Sequence, residues 1–370
     1  MFTAILAALY ALLLIWVLIG LFRLRSSSNS EYLPFVSVII AARNEEKNIE
    51  RCISALEVQD YSTKLFEVII INDRSVDHTA EIIGKKTDLL SNFRTITINS
   101  LPNNTSPKKY ALQKGIESSK GEIILTTDAD CLPKPGWISG MVRAYSDDKI
   151  GMVVGYSPIT LSSHGIKAGL SNLDSLSIAA ISAGSIGAGY PVTCTGRNFS
   201  YRRTVFDSIG GFEGLWHYMS GDDDLLLHKA FNNKIKISYS LLPSTFVDSL
   251  SYESLNEISS QRRRHASKGL IYYSLPGMTA LKIVLPLIYL FNLSIVLGLL
   301  GIGLNLIVVS FIVLLKSAME FLLLFVFSSK VNSKRILKYF PLAIILHPFY
   351  VVVYGAWGAL GKFTWKGQIN

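Results

Sequence analysis

The chain has 370 residues, 49% of them hydrophobic, with a mean hydropathy of +0.35 and a formal net charge of +9 at pH 7. This hydropathy excludes an ordinary soluble protein, and the apolar excess lies at the two ends of the chain. The positive charge requires no nucleic-acid partner, because basic residues beside membrane segments are attracted to an anionic cytoplasmic leaflet. The three cysteines show no metal-ligand spacing and form no even set, which fits a reduced compartment.

The first predicted element is a membrane span. Residues 2–22 carry no charge, and about 20 apolar residues suffice to cross a bilayer. No basic residue precedes this run and no small-residue cleavage site follows it, so we interpret residues 1–25 as an anchor and not as a cleaved signal peptide. Arg23 and Arg25 follow directly, and the positive-inside rule then places the next segment in the cytoplasm.

The middle of the chain alternates buried strands with helices. Residues 35–42 and 66–71 are apolar on both faces, a helical stretch follows each, and residues 95–98 form a short third strand. This order predicts an α/β fold with a parallel sheet and helices on its faces, in a cytoplasmic domain over residues 33–270. Ligands of such sheets bind beyond the carboxyl ends of the strands. Four acidic residues follow the carboxyl ends of predicted strands, one of which is the apolar run 123–126: Glu45, Asp73, Asp128 and Asp130.

Two of these carboxylates form the clearest candidate site. Asp128 and Asp130 follow the apolar strand 123–126, and residues two apart in an extended chain point to the same side. Hard oxygen ligands at the mouth of a sheet suit a divalent ion that is also held by phosphates and water. The alternative is a turn, because Asp is common in turns and Pro133 and Pro135 follow closely.

Other polar positions near the strand ends also have two interpretations. Glu45 is either a ligand contact or a partner of the helix dipole, and Asp73 is either a ligand contact or a helix cap. Lys108 and Lys109 precede the helix that leads to strand 123–126, where a lysine either meets phosphate or belongs to a solvated basic face.

A second acidic cluster lies at residues 222–224, directly before three leucines. Consecutive carboxylates repel one another, so grouping three of them does not stabilise the fold. The alternative to a functional site is that they lie at a helix N-terminus, where negative charge interacts favourably with the helix dipole. The leucines place the cluster against a core, where a carboxylate can be tuned as a general base. Further on, the basic stretch 261–265 is either a juxtamembrane patch or a site for diphosphate or acceptor, since arginine offers a fixed donor fork.

Residues 279–361 predict about three further spans, with a break near residues 301–305 and a short tail at the end. Residues 170–190 have too few large apolar side chains to predict a span. Within the penultimate span, Lys316 and Glu320 are four residues apart. Intramembrane charge is costly unless it is paired, so we predict that these two side chains pair with each other.

Five stretches, taken in order, resemble the successive motifs of family 2 glycosyltransferases, which are membrane-integrated inverting enzymes related to cellulose and hyaluronan synthases. The stretches are residues 42–46, 71–77, 127–130, 221–225 and 261–265. The similarity extends over residues 36–267. It implies a GT-A, Rossmann-like nucleotide-diphospho-sugar transferase domain between one N-terminal and about three C-terminal transmembrane helices.

The resemblance also implies roles for individual residues. Asp130, together with Asp128, would bind Mg²⁺ or Mn²⁺, and Asp222 would be the general base. Glu45 and Asp73 would contact the nucleoside. The full set of expected nucleotide-sugar contacts is Glu45, Asp73, Lys109, Asp128, Gln261 and Arg264, the last two on the diphosphate. Three residues are expected on the acceptor side: Asp223, Arg203 and His265.

Two positions depart from the family pattern. Asn72 replaces the usual first Asp of the nucleoside motif, and His265 replaces the Trp that accompanies the acceptor glycan in polymerising members. The second departure argues against the synthesis of a long polymer. From the resemblance as a whole, we expect a plasma-membrane (inner-membrane) enzyme whose cytoplasmic domain transfers sugar from a UDP-sugar to a lipid or membrane-proximal glycan acceptor. One alternative is a short-chain polysaccharide synthase. Another is a non-catalytic, sugar-nucleotide-binding subunit of an envelope-glycan complex, which the intact acidic set disfavours.

Overall fold

The chain divides into two compact units. The sheet unit comprises Leu24–Thr160 and Tyr190–Leu250, and the helical unit comprises Met1–Arg23, Leu161–Gly189 and Ser251–Asn370. This computed structural model describes residues 2–24, 32–160, 165–250, 259, 262, 263, 266, 269, 271–275, 278–303, 305–360, 364–365 and 368–369. The predicted domain over residues 33–270 is therefore divided, since its residues 161–189 and those after 250 belong to the helical unit.

The strands of the sheet unit form two sheets. In chain order they are β1 (Val36–Ala42), β2 (Phe66–Asp73), β3 (Phe93–Ile98), β4 (Ile123–Thr126), β5 (Cys131–Pro133), β6 (Ile150–Gly155), β7 (Ile159–Thr160), β8 (Phe199–Arg202), β9 (Lys236–Ser240) and β10 (Val247–Leu250). The larger sheet has seven strands in the order β3-β2-β1-β4-β8-β6-β9, and β5-β10-β7 form a smaller one. A short pair, β11 (Thr364–Trp365) and β12 (Gln368–Ile369), lies in the helical unit.

The α-helices alternate with these strands and then dominate the C-terminal part of the chain. They are α1 (Phe2–Arg23), α2 (Ile49–Glu57), α3 (Thr79–Thr87), α4 (Pro107–Ser118), α5 (Trp137–Val142), α6 (Ile166–Gly187), α7 (Arg203–Ser208), α8 (Asp224–Asn232), α9 (Thr279–Leu299), α10 (Leu306–Lys330) and α11 (Phe340–Leu360). Short 3₁₀ turns occur at Arg143–Ser146, Gly196–Asn198, Pro243–Thr245 and Lys334–Tyr339.

Apolar strands hold the centre of the sheet unit. β1 and β2 pair in parallel, with Val38 opposite Val68 and Ile40 opposite Ile70, and all four side chains are fully buried. Burying each contributes about 1.5–3 kcal/mol. Because β1 also pairs in parallel with β4, the carboxyl ends of all three strands meet at one edge of the sheet. The predicted α/β fold is confirmed.

The sheet is mixed, however, and not parallel throughout as predicted. β8 runs antiparallel to both β4 and β6. Arg202, at the end of β8, lies opposite Ile123, at the start of β4. Residues that follow β8 therefore lie at the edge opposite to the carboxyl end of β4.

Four helices of the helical unit are long and apolar enough to span a membrane: Phe2–Arg23, Thr279–Leu299, Leu306–Lys330 and Lys334–Gly358. By length and composition, this confirms the prediction of one N-terminal and three C-terminal spans. The predicted break near residues 301–305 separates α9 from α10. Helix α6 is not among these candidates, in agreement with the prediction for residues 170–190.

Helices α1 and α6 touch backbone to backbone. A Cβ atom added to Gly20 would lie 1.8 Å from the carbonyl oxygen of Gly184, and one added to Gly184 would lie 2.4 Å from the carbonyl oxygen of Val17. Only glycine permits this approach, so the small residues of α6 serve to bring the two helices together.

The two charged residues in the interior of the candidate span α10 are paired, as predicted. Lys316 Nζ lies 2.8 Å from Glu320 Oε1 and 3.1 Å from His347 Nδ1. The hydroxyl of Tyr10 donates to Glu320 Oε1 over 2.5 Å. This polar cluster joins helices α1, α10 and α11.

Candidate active site

Two acidic residues from distant parts of the chain share one lysine. Asp128 follows β4, while Asp222 lies in the loop before α8. Lys108, in the first turn of α4, places its Nζ 2.7 Å from Asp128 Oδ1 and 2.8 Å from Asp222 Oδ2. Their side chains are 23%, 32% and 14% exposed for Lys108, Asp128 and Asp222 respectively. The arrangement is thus a half-buried charge cluster at the carboxyl edge of the sheet.

Asp130 extends this cluster towards a metal-binding geometry. The candidate ligand atoms of Asp128, Asp130 and Cys131 all lie within 4.8 Å of one another. Burial would raise the pKa of Asp128, but Lys108 holds that pKa below its usual range. Burial and the neighbouring charges of Asp128 and Glu45 raise the pKa of Asp130. Because excess negative charge collects there, a divalent cation would stabilise both carboxylates.

The donor set fits Mg²⁺ or Mn²⁺. Carboxylate oxygens are the ligands that these hard cations prefer. Burial raises the pKa of the Cys131 thiol, and the charges of Asp130 and Asp128 raise it further. Mg²⁺ and Mn²⁺ also prefer oxygen to sulfur, so the two carboxylates are the expected ligands and the thiol is not.

The loop before α8 is anchored by Asp223. Its Oδ1 accepts the N–H of Asp224 at 2.8 Å, which caps the helix, and its Oδ2 accepts the N–H of Gly196 at 2.9 Å. A Cβ atom on Gly196 would lie only 3.1 Å from Asp222 Oδ2. Asp223, which we predicted on the acceptor side, thus bonds the backbone beside Asp222.

The two lysines of α4 have different environments. The ammonium of Lys109 is fully buried and donates to the carbonyl oxygens of Tyr218 at 2.6 Å and Ser220 at 2.8 Å. We predicted Lys109 near the nucleotide, but the lysine that reaches the acidic cluster is Lys108. Lys109 holds the loop that leads to Asp222.

The loops after β1 and β2 are tied to each other. Asn44, whose φ is +52°, accepts the N–H of Val76 through its side chain at 3.0 Å. The N–H of Glu45 donates to Thr79 Oγ1 at 2.7 Å. Asp73, at the end of β2, pairs with Arg74 Nε at 2.7 Å. Glu45 and Asp73 therefore stand at the carboxyl ends of neighbouring strands, and the charge of Glu45 acts on Asp130.

Several sequence-based assignments fall outside this cluster. Arg203 donates to the carbonyl oxygens of Gly121 at 2.9 Å and Ile116 at 3.0 Å, and both precede β4. It lies at the opposite edge because β8 is antiparallel, so the structure does not bring Arg203 to the acceptor side. Three further predicted site residues lie outside the described residues: Gln261, Arg264 and His265.

Two basic residues of the site were not assigned a role from the sequence. Lys108 is one. Arg197 is the other: its charge helps Lys108 to lower the pKa of Asp128, and it partly opposes the rise in the pKa of Asp130. Thr127 Oγ1 donates to the carbonyl oxygen of Arg197 at 2.8 Å, which ties this turn to the end of β4. A small cleft between these elements is lined by Lys108, Leu112, Thr126, Thr127, Asp128, Gly196, Phe199, Tyr201 and Asp222.

Comparison with known families gives the same assignment as the motifs. Residues 37–210 match the sequence profile of "Glycosyl transferase family 2". Residues 37–210 are thus a family 2 glycosyltransferase domain. The match includes Asp73, Asp128 and Asp130 but ends before Asp222.

Curated relatives of this glycosyltransferase domain match it in part. The protein named "Probable glycosyltransferase YdaM" from Bacillus subtilis is 29% identical over 187 residues, covering 50% of this chain and 44% of that protein. The beta-monoglucosyldiacylglycerol synthase of Nostoc sp. is 31% identical over 121 residues, covering 33% of this chain and 25% of that protein. The chain thus matches less than half the length of each of these relatives.

A solved structure with the same fold covers nearly the whole chain. The mannosyltransferase PcManGT from Pyrobaculum calidifontis, in complex with GDP-Man and Mn²⁺, superposes with a TM-score of 0.59. It covers 97% of this chain and 99% of that chain, at 16% sequence identity. This likeness confirms the predicted GT-A fold.

Proposed function

We propose that this protein is a metal-dependent, inverting glycosyltransferase that moves a sugar from a nucleotide-sugar to a lipid or membrane-proximal acceptor. The observation that carries the proposal is the convergence of Asp128 and Asp222 on Lys108 at the carboxyl edge of the sheet. That edge is where α/β sheets bind nucleotides. The family resemblance implies different roles for the two carboxylates, and the described geometry is compatible with both.

Asp222 is the proposed general base. In the transfer step it takes the proton from an acceptor hydroxyl while that oxygen bonds to the anomeric carbon of the donor sugar. The bond from this carbon to the nucleoside diphosphate breaks, and the diphosphate leaves with the electron pair, which inverts the anomeric configuration. General-base assistance of this kind contributes roughly 10²–10⁴-fold to the rate.

The larger requirement of catalysis is to stabilise the negative charge that develops on the departing diphosphate. The basic residues of the cluster contribute to this stabilisation. Lys108 and Arg197 supply positive charge beside Asp128, where preorganised charge is most effective because the site is half-buried. Asp128 and Asp130 would hold Mg²⁺ or Mn²⁺, which neutralises diphosphate oxygens when bound. From the sequence resemblance, Gln261 and Arg264 also bind the diphosphate.

The remaining assignments follow the sequence. Glu45 and Asp73 are proposed to contact the nucleoside, which we expect to be uridine. A lipid acceptor is supported by the four candidate spans and by the name of the Nostoc relative, a glucosyldiacylglycerol synthase. The sheet unit would face the cytoplasm at the plasma membrane, because Arg23 follows the first span.

The test is a transfer assay on the purified full-length protein. A panel of UDP- and GDP-sugars is incubated with diacylglycerol or with a polyprenyl phosphate in mixed micelles, with Mn²⁺ or with excess EDTA. We expect one donor to be consumed with formation of a glycolipid, and EDTA to abolish this. Transfer that persists at full rate in EDTA would refute the metal-dependent mechanism, and the absence of transfer or hydrolysis from every donor would refute the function.

A further inference from the structure

Tyr201 carries a buried hydroxyl group that the fold does not use. The residue lies in β8 and is only 1% exposed. Its hydroxyl oxygen is buried and has no hydrogen-bond partner among the residues that the structure describes. Leaving a buried polar group unsatisfied costs about 1–3 kcal/mol. Because native proteins contain few such groups, this hydroxyl requires an explanation other than folding.

Apolar packing alone fixes the ring of Tyr201. Phe206 stacks on it with ring centroids 5.3 Å apart and an interplanar angle of 16°. Phe199 packs against it edge to face, with centroids 5.5 Å apart. A phenylalanine at position 201 would make the same ring contacts and would bury no unsatisfied oxygen. The hydroxyl is therefore to be explained by the site that it faces.

That site is the cleft beside the proposed base. Tyr201 lines this cleft together with Lys108 and Asp222. Burial raises the pKa of the phenol, and the charge of Asp222 raises it further. The hydroxyl therefore keeps its proton and is a hydrogen-bond donor, and a carboxylate is the strongest kind of acceptor for such a donor.

The other hydroxyls of the cleft already donate to the backbone. Thr126 Oγ1 donates to the carbonyl oxygen of Phe199 at 3.2 Å, and Thr127 Oγ1 donates to the carbonyl oxygen of Arg197 at 2.8 Å. Among the described residues that line the cleft, Tyr201 is thus the one whose side-chain hydroxyl has no acceptor.

Donor binding would give this hydroxyl an acceptor. Lys108 contacts both Asp128 and Asp222, and in the proposed reaction it also meets the diphosphate, whose oxygens compete with Asp222 for its ammonium. We propose that Tyr201 is a positioning residue for the base: its hydroxyl donates to the Asp222 carboxylate when Lys108 binds the diphosphate. One carboxylate oxygen is then held by Tyr201, and the other is left for the acceptor proton. This inference rests on the proposed function.

The experiment compares two buried tyrosines of the sheet unit. Tyr201→Phe removes only the hydroxyl. Tyr145→Phe is the matched control, because Tyr145 is also fully buried but its hydroxyl is hydrogen-bonded to Ser200 Oγ at 2.8 Å. Successive strand residues point to opposite faces of a sheet, so Ser200 faces away from the Tyr201 side.

Four quantities are measured on the full-length protein in detergent. They are kcat, KM for the donor and for the lipid acceptor of the transfer assay, the affinity for UDP plus Mn²⁺ by calorimetry with GDP as a second probe, and Tm. A merely structural role would change Tm, whereas a role in holding the base changes kcat and leaves both KM values unchanged.

We expect Tyr201→Phe to lower kcat by about 10- to 100-fold, since misplacing a reacting group by about 1 Å costs up to about 100-fold. Both KM values and the UDP affinity should stay within about twofold of the wild type. Its Tm should not fall, because an unsatisfied hydroxyl has been removed. Tyr145→Phe should lower Tm and keep the wild-type kcat.

Three results would overturn the inference: a Tyr201→Phe variant with wild-type kcat, a rise in the acceptor KM at unchanged kcat, which would assign the hydroxyl to acceptor binding, or an equal loss of kcat in Tyr145→Phe. A wild-type protein that neither binds UDP or GDP nor transfers sugar would instead refute the proposed function, and the positioning role with it.

Discussion

Replacing Lys108 by methionine removes the ammonium that lies 2.7 Å from Asp128 and 2.8 Å from Asp222, while a linear side chain of similar length remains. At these distances each pair has a direct Coulomb attraction of about 6 kcal/mol at an effective dielectric constant of about 20. Lys108 is 23% exposed and Asp128 is 32% exposed. Solvent screening and desolvation therefore cancel most of this attraction, and we expect the two contacts together to stabilise the cluster by about 1–3 kcal/mol.

The effect on transfer should exceed the effect on stability. If Lys108 supplies charge to the leaving diphosphate, Lys108→Met lowers kcat/KM for the donor by about 10²–10³-fold, and Lys108→Arg retains part of the activity. The pKa of Asp128 is held low by Lys108. Loss of the Lys108 ammonium raises the pKa of Asp128, so the acid limb of the pH profile of kcat/KM should move to higher pH. Steady-state kinetics on the full-length protein, measured across pH, test both effects.

The neighbouring lysine provides the matched control. Lys109→Met leaves the buried carbonyl oxygens of Tyr218 and Ser220 without the donor that they have now. We expect the free energy of unfolding to fall by about 1–3 kcal/mol, with a lower Tm and a nearly unchanged KM for the donor. The division of roles is refuted if Lys108→Met keeps wild-type kcat/KM, or if Lys109→Met reproduces both the rate loss and the pH shift of Lys108→Met.

Three further outcomes are expected. Asp222→Asn should abolish transfer while UDP affinity, measured by calorimetry, stays within about threefold of wild type; turnover at the wild-type rate would remove Asp222 from the role of base. Asp130→Asn should weaken Mn²⁺ binding, measured by the enhancement of water proton relaxation, and raise the Mn²⁺ concentration needed for half-maximal activity; an unchanged Mn²⁺ requirement would contradict the metal assignment. Lys316→Met should lower Tm more than the double change Lys316→Met with Glu320→Met, because the single change leaves Glu320 buried without its cation; equal losses would argue against a buried pair.

The buried strands and the strand-end carboxylates were predictable because their signals are local. β1 and β2 are apolar on both faces, so their core positions follow from the sequence alone. Asp128 and Asp130 follow an apolar strand at a spacing of two, and their position at a sheet edge then follows from topology. The acidic run 222–224 was recognisable because three leucines follow it, but the choice of Asp222 within the run came from the family resemblance.

The identity of the site lysine was not predictable in this way. Successive residues of a helix point about 100° apart, so the choice between Lys108 and Lys109 depends on how α4 is rotated against the sheet. Arg203 was misplaced for a related reason, since strand direction sets which edge a flanking residue occupies and β8 proved antiparallel. Arg197 lies in a turn with no periodic pattern, and it gave no sequence signal of its own.

The close contact between Gly20 and Gly184 has a practical consequence for producing this protein. Helix α6 interrupts the sheet unit in sequence, yet its glycine face packs on the first span. Trimming the chain to residues 24–250 would therefore remove the membrane anchors but leave α6 with an uncovered apolar face, a known aggregation hazard. A soluble version of the sheet unit requires residues 161–189 to be replaced by a flexible linker as well.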